Sequence, residues 1–167
     1  MRLNLSPIIN VPGGRIPFAF QLDLSELCFY GAYPISQPLE VTGEVRNEAC
    51  ALMLRAQAET ELHLTCDRCG QPFTRKKALA VDTLVAVSLE DEENSDIILL
   101  DGNMLNLDEV VTTAFILDMD TKNLCSENCK GLCPGCGANL NEGPCQCKPE
   151  VDLRLAALTQ LLKDEDS

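Results

Sequence analysis

With 167 residues the chain is long enough for one domain with its own core plus a small appendage. A formal charge of −13 opposes general attraction to phosphate, and five phenylalanines, two tyrosines and no tryptophan exclude an open base-stacking platform. Apolar runs fall short of the roughly 20 residues that span a bilayer, and the opening MRLNLSPIINVPGG lacks the regions of a signal peptide. A soluble, cytoplasmic protein with no membrane partner is expected.

Residues 1–33 mix short apolar runs with Pro7, Pro12, Gly13, Gly14 and Pro17, which predicts one or two short strands around Leu3 and Phe18. The segment SELCFYGAY at 25–33 is compatible with a short helix but carries no decisive period. From Leu39 the pattern alternates. Leu39, Val41, Gly43 and Val45 share one face, and after a break at Arg46-Asn47-Glu48 the residues Cys50, Leu52, Leu54 and Ala56 share another. A third run, Leu62, Leu64 and Cys66, leads into Cys66-Asp67-Arg68-Cys69-Gly70, and a fourth returns through Phe73, Arg75, Lys77, Leu79 and Val81 to Val87. The C-x-x-C-G segment therefore reads as a hairpin turn in an antiparallel meander with one buried face.

Glu90 to Asp96 is too densely charged to bury and is expected as a solvated loop. A short strand over Ile97 to Leu100 and a turn at Asp101-Gly102-Asn103 follow. Asn106 can then cap a helix, with Glu109 completing a capping box, and Leu107, Val110, Val111, Ala114, Ile116 and Leu117 form an apolar stripe through about Met119. Near the end of the chain, Asp152 fits the N-cap of a terminal helix bearing Leu153, Leu155, Leu158, Leu161 and Leu162, with a fraying tail from Asp164. The expected fold class is α+β: a mainly antiparallel sheet, as a meander or open barrel, with two helices and a small C-terminal zinc-binding lobe. Residues 1–119 would form the β domain, with its helix at 107–119, and residues 120–167 the cysteine-rich lobe and terminal helix.

Eight of the ten cysteines fall into close pairs: Cys66 with Cys69, Cys125 with Cys129, Cys133 with Cys136, and Cys145 with Cys147. In a reducing compartment such pairs bind metal in preference to forming disulfides. Soft thiolates in two sets of four suit two structural zinc ions, with iron as the alternative because paired C-x-x-C-G knuckles also resemble a rubredoxin site. Four sulfurs leave no open position for water. Residues 120–148 hold hardly any large aliphatic side chains, so without metal this lobe is expected to be disordered. Filled sites would add eight negative and four positive charges and bring the chain near −17. Two pairings are open. Loop economy favours Cys133, Cys136, Cys145 and Cys147 as one site and Cys66, Cys69, Cys125 and Cys129 as the other, whereas a zinc-ribbon arrangement would join the two knuckles. Cys28 and Cys50 lack partner spacing and are expected as buried small hydrophobes.

Catalytic signals are thin. His63, the one histidine, lies opposite Leu62 and Leu64 on the alternating run, and neither a Gly-rich phosphate loop nor a Gly-x-Ser-x-Gly elbow is present. Glu59 with Glu61, and Asp118 with Asp120, read as solvated faces without basic companions. Neither an enzyme nor a small-molecule substrate is expected. Arg68, Arg75, Lys76, Lys77, Lys122, Lys130 and Lys148, seven of the thirteen basic residues, flank the cysteine pairs. They are the candidates for a local RNA or partner contact surface. The alternative is that they merely offset the thiolates and Asp67, Glu127 and Glu142.

Cys66-Asp-Arg-Cys69-Gly-Gln-Pro-Phe73, the helix near Leu107 to Leu117, and Cys125 through Cys147 followed by Val151-Asp-Leu-Arg-Leu-Ala-Ala-Leu158 resemble the YceD family. These are the bacterial and plastid large ribosomal RNA subunit accumulation proteins. The phrase from Cys129 to Asn141, CKGLCPGCGANLN, resembles the cysteine-rich branch in particular. The resemblance covers the chain from about Leu39 onward and implies a ribosome assembly factor supporting accumulation or processing of large-subunit ribosomal RNA. Implied partners are that RNA, a pre-ribosomal particle or a ribosomal protein. The alternative is a protein-protein adaptor without RNA contact, and a thiol oxidoreductase using Cys66 and Cys69 comes third.

Overall fold

The computed structural model describes residues 1–48, 51–87 and 97–147. In chain order its elements are β1 (Arg2–Asn4), α1 (Ser6–Ile9), β2 (Arg15–Leu22), β3 (Leu39–Glu48), β4 (Ala51–Thr65), β5 (Pro72–Ala86), β6 (Ile97–Leu99), β7 (Met104–Asn106) and α2 (Leu107–Leu117). They divide into two units. Among the described residues the first comprises Met1–Leu64 and Pro72–Asn123; the second joins Thr65–Gln71 to 124–147. The turn between β4 and β5 thus clusters with the C-terminal cysteines, and the boundary near 119/120 read from the sequence falls at 123/124.

In the first unit the five-stranded sheet runs β2-β3-β4-β5-β6 and does not close into a barrel. Period-two patterning dictates this: Leu39, Val41 and Val45 on β3 and Leu52, Leu54, Ala56, Ala58, Leu62 and Leu64 on β4 are buried, while their neighbours face outward. The two runs separated in the sequence reading are one strand, because Ala58 carries the buried face across the gap. β6 pairs in parallel with β5, Val85 facing Ile98, whereas β3 pairs antiparallel with both β2 and β4. A second, two-stranded sheet pairs β1 with β7, Leu3 opposite Leu105.

Asn47 is not a break. β3 runs through it with the side chain pointing inward, 1% exposed, and its Nδ2 donates to the carbonyls of Ile8 (2.7 Å) and Ile9 (2.8 Å). Those carbonyls end α1, a single turn absent from the sequence reading, so a polar residue occupies an inward position because it caps a buried helix terminus. At Gly43 the register Phe18–Gly43–Ala56 lays the Phe18 ring against the strand, and a Cβ there would stand 2.3 Å from the Arg55 carbonyl oxygen and 2.7 Å from Phe18 Cζ.

The 25–33 segment is not helical. Phe29 and Ala32 exchange backbone hydrogen bonds (2.8 and 3.0 Å) around Tyr30 and Gly31, both at positive φ, which makes a two-residue turn. Cys28 beside it is exposed, contrary to the expected burial, because the turn is too small to cover it; Cys50 lies outside the described residues.

α2 starts at the expected place, but its box is closed differently. Asn106 makes no side-chain cap to the backbone, and its Nδ2 instead donates to Glu109 Oε2 at 3.1 Å. The buried stripe is Leu107, Val111 and Phe115, at i, i+4 and i+8, with Val110 and Ala114 packed beside it. Ile116 and Leu117, counted in the sequence stripe, turn outward at 44% and 81% exposure, and the helix stops at Leu117. The acidic loop at 90–96 and the terminal helix from Asp152 lie outside the described residues.

The second unit has a different interior. Its buried side chains among the described residues are Cys66, Cys69, Cys129 and Cys133, while Leu132 is 45% exposed and Leu124 and Leu140 are half-buried. Sulfur takes the place of an aliphatic core.

Candidate metal centre

Two knuckles with one backbone plan supply half of the sulfurs. In Cys66-Asp67-Arg68-Cys69-Gly70 the Gly70 amide donates to the Cys66 carbonyl and the Cys66 amide to the Gln71 carbonyl, both at 2.9 Å. In Cys133-Pro134-Gly135-Cys136-Gly137 the Gly137 amide donates to the Cys133 carbonyl and the Cys133 amide to the Ala138 carbonyl, both at 2.8 Å. Gly70 and Gly137 sit at φ +70° and +73° with open space where a Cβ would be, so backbone conformation and not crowding calls for glycine. Each turn directs the amides behind its first cysteine toward that sulfur. The amides of Cys125, Cys69 and Arg68 lower the Cys66 thiol to about 6 against the opposing effect of burial. The Cys136 amide, the Cys145 thiol and the Gly135 amide lower Cys133 to about 6. Across the second cluster, the Cys136 and Cys133 sulfurs push Cys147 up to about 12. One favoured thiolate against a high-pKa neighbour is what a set of sulfurs without a shared cation produces.

The eight cysteines gather as Cys66, Cys69, Cys125 and Cys129 and as Cys133, Cys136, Cys145 and Cys147, the sulfurs of each group lying within 4.8 Å of one another. This is the pairing of shorter loops, not the zinc-ribbon one. Sγ separations are 3.8 Å for Cys66 and Cys129, 3.7 Å for Cys69 and Cys125, and 3.3 Å for Cys133 and Cys145. Tetrahedral coordination at a metal–sulfur distance of about 2.3 Å requires sulfurs about 3.8 Å apart, whereas a disulfide would bring them to about 2.05 Å. The donor set and spacing fit a metal ion in each group, and all nine described cysteines are free thiols. A bound ion would supply the positive charge that lets four thiolates share one small volume.

The sequence reading missed Asn141. Its Nδ2 donates to Cys129 Sγ at 3.3 Å and is the largest influence lowering that thiol. The available signal was an amide side chain a few residues past a C-x-x-C-G knuckle, since such a donor reaches ligand sulfur as an outer-shell partner.

The seven basic candidates divide. Arg68 Nη1 donates to the Cys129 carbonyl at 2.9 Å, and Gly131 packs against the Arg68 backbone, so this arginine braces the first cluster. Arg75 pairs with Asp120 at 3.1 Å and lies 5.3 Å over the Phe73 ring. Lys77, with 14% of its side chain exposed, pairs with Asp118 at 2.7 Å. Asp118 and Asp120 therefore do have basic companions, on β5, which the sequence separation of about 40 residues hid. Lys76, Lys122 and Lys130 are exposed, and Lys148 lies outside the described residues. His63 faces outward between buried Leu62 and Leu64, with Nε2 4.0 Å from Glu61 Oε1.

Among the described residues no helix is long and apolar enough to cross a membrane. No solved structure matches the chain. Among curated proteins, it is similar to Uncharacterized protein Rv2926c of Mycobacterium tuberculosis and to Uncharacterized protein Mb2951c of Mycobacterium bovis. Each is 29% identical over 104 residues, covering 60% of this chain and 50% of the relative, so the chain spans about half the length of the curated relatives it matches. A family model described as "Large ribosomal RNA subunit accumulation protein YceD" matches residues 54–162, which take in both knuckles, α2 and every paired cysteine. With more than half of its length matched, the chain belongs to the YceD family.

Proposed function

We propose that the protein is a non-enzymatic ribosome assembly factor that supports accumulation or processing of large-subunit ribosomal RNA. Two structural zinc ions give its cysteine unit a rigid surface, and that surface meets the RNA or a ribosomal protein in the assembling particle. The observation that carries the reading is the pair of four-sulfur clusters inside the region matched to the family. Zinc is favoured over iron because a closed thiolate shell with a redox-inert ion suits a purely structural task. Four sulfurs leave no coordination site for a substrate, which supports a binding role over metal catalysis.

Crosslinking RNA to the protein in cells, followed by sequencing, tests the contact. Recovery of large-subunit ribosomal RNA, reduced on charge reversal of the exposed Lys130 in the cysteine unit, supports it; crosslinking indistinguishable from background overturns it. A second reading, an adaptor that contacts only protein, is favoured by one observation: Arg68, Arg75 and Lys77 are engaged within the chain. Salt separates the two readings, since phosphate contacts weaken steeply with ionic strength and an apolar interface does not.

A further inference from the structure

Asn141 lies in the loop between Cys136 and Cys145, so the second cluster closes the chain on both sides of it. Yet its side chain serves the first cluster. Nδ2 donates to Cys129 Sγ at 3.3 Å, and Oδ1 accepts the backbone amide of Lys130 at 2.8 Å. The second contact fixes the orientation of the first, because only the oxygen can meet a backbone N–H and the NH2 is left facing sulfur.

The loop is also built to hold that position. Asn141 donates from its main-chain amide and from Nδ2 to Asn139 Oδ1 at 3.1 and 2.8 Å, and Asn139 Nδ2 donates to Glu142 Oε1 at 3.0 Å. Alongside, the Leu140 amide donates to the Gly131 carbonyl at 2.9 Å, and Leu132 bridges to Asn139. Residues 138–141 thus form a short ladder with 130–133, the stretch that joins the last ligand of one cluster to the first of the other.

We infer that Asn141 couples the two metal sites. An ion held by Cys133, Cys136, Cys145 and Cys147 fixes the ends of the loop that carries Asn141, and Asn141 then positions Cys129 for the ion held with Cys66, Cys69 and Cys125. The inference rests on the metal reading above and not on the RNA role. Four thiolates around a divalent ion leave a net charge of −2, so an N–H aimed at one of them stabilises the filled site, and loss of such outer-shell partners weakens metal binding by roughly 10- to 100-fold. With the second cluster empty only the loop's own hydrogen bonds hold the donor, and the first site is weakened in the same direction. Linkage makes the effect reciprocal.

Cadmium NMR on the full chain tests this, because each four-sulfur site gives its own resonance, assigned by its loss in Cys69→Ser or Cys145→Ser. Chelator competition gives the affinity of each site. Asn141→Asp, which keeps the shape but turns the donor into a charged acceptor, should weaken cadmium at the first site by roughly 10- to 100-fold and shift its resonance. The second resonance should stay in place. Asn141→Ala should act in the same direction, and it decides the matter should Asn141→Asp disturb both sites. In a Cys145→Ser background the first site should already be weakened, with a smaller further effect of Asn141→Asp than in the intact chain. Cadmium at both sites with neither Asn141 variant changing the first overturns the coupling alone. The same holds for an equal loss whether or not the second site is intact. No bound cadmium would overturn the metal reading as well.

Discussion

Replacing Asn47 with leucine, close to it in size, removes the amide that donates to the Ile8 and Ile9 carbonyls and leaves both without that partner in the core. The Ile9 carbonyl, left without the amide, costs about 1–3 kcal/mol, the Ile8 carbonyl keeps the Val11 amide at 3.0 Å and loses about 0.5–1.5 kcal/mol, and burial of leucine at a position 1% exposed returns about 1.5 kcal/mol, so the net loss is at most about 3 kcal/mol. Asn47→Asp is the more stringent variant, since it keeps the outline while setting a carboxylate against two carbonyls. At about 4 °C per kcal/mol for a unit of this length, Asn47→Leu should lower the melting temperature by up to about 12 °C, and Asn47→Asp by more. Thermal and urea denaturation followed by far-ultraviolet circular dichroism measure it, the urea midpoint falling with the slope unchanged. A loss below about 0.5 kcal/mol for both variants, the range of an ordinary surface substitution, would refute the assignment of Asn47 as the cap that ties α1 to β3.

Other outcomes follow from the same geometry. Gly43→Ala should cost about 1–3 kcal/mol, because backbone atoms of β4 crowd the new methyl as closely as the Phe18 ring does; Phe18→Leu should relieve only the ring's share, a difference a double-mutant cycle resolves. Chelation should abolish amide exchange protection across Thr65–Gln71 and 124–147 while amides of β3 and β4 keep theirs, since the buried side chains of the second unit are sulfurs and those of the first are aliphatic. Equal loss of protection in both units would count against that division. Ligand thiols bind metal as thiolates, so binding releases protons and the affinity for zinc should fall as pH is lowered; competition titrations at several pH values would show a flat profile if oxygen or nitrogen ligands of low pKa held the ion instead.

What the sequence made legible was whatever depends on short-range pattern. Period two gave β3, β4 and β5, and cysteine spacing gave the knuckles and the shorter-loop grouping of sulfurs. What it hid depends on contacts distant along the chain. The Asn47 amide answers a need created 38 residues earlier, so its polarity read as an interruption. Asp118 and Asp120 read as unaccompanied because Lys77 and Arg75 lie on a strand 41 and 45 residues back. The helical stripe was off by one position because Phe115 and Ile116 are both apolar, and only packing decides which of the two is covered. Asn141 carried no period at all, and its role exists only once residues 138–141 fold back along 130–133.

Native mass spectrometry of the purified chain, paired with alkylation before and after denaturation, tests the central claim most directly. The account predicts two divalent ions per chain and eight thiols protected until the ions are stripped, with exposed Cys28 modified early as an internal reference. A folded protein that carries no ion, and whose paired cysteines are alkylated as fast as Cys28, would contradict it.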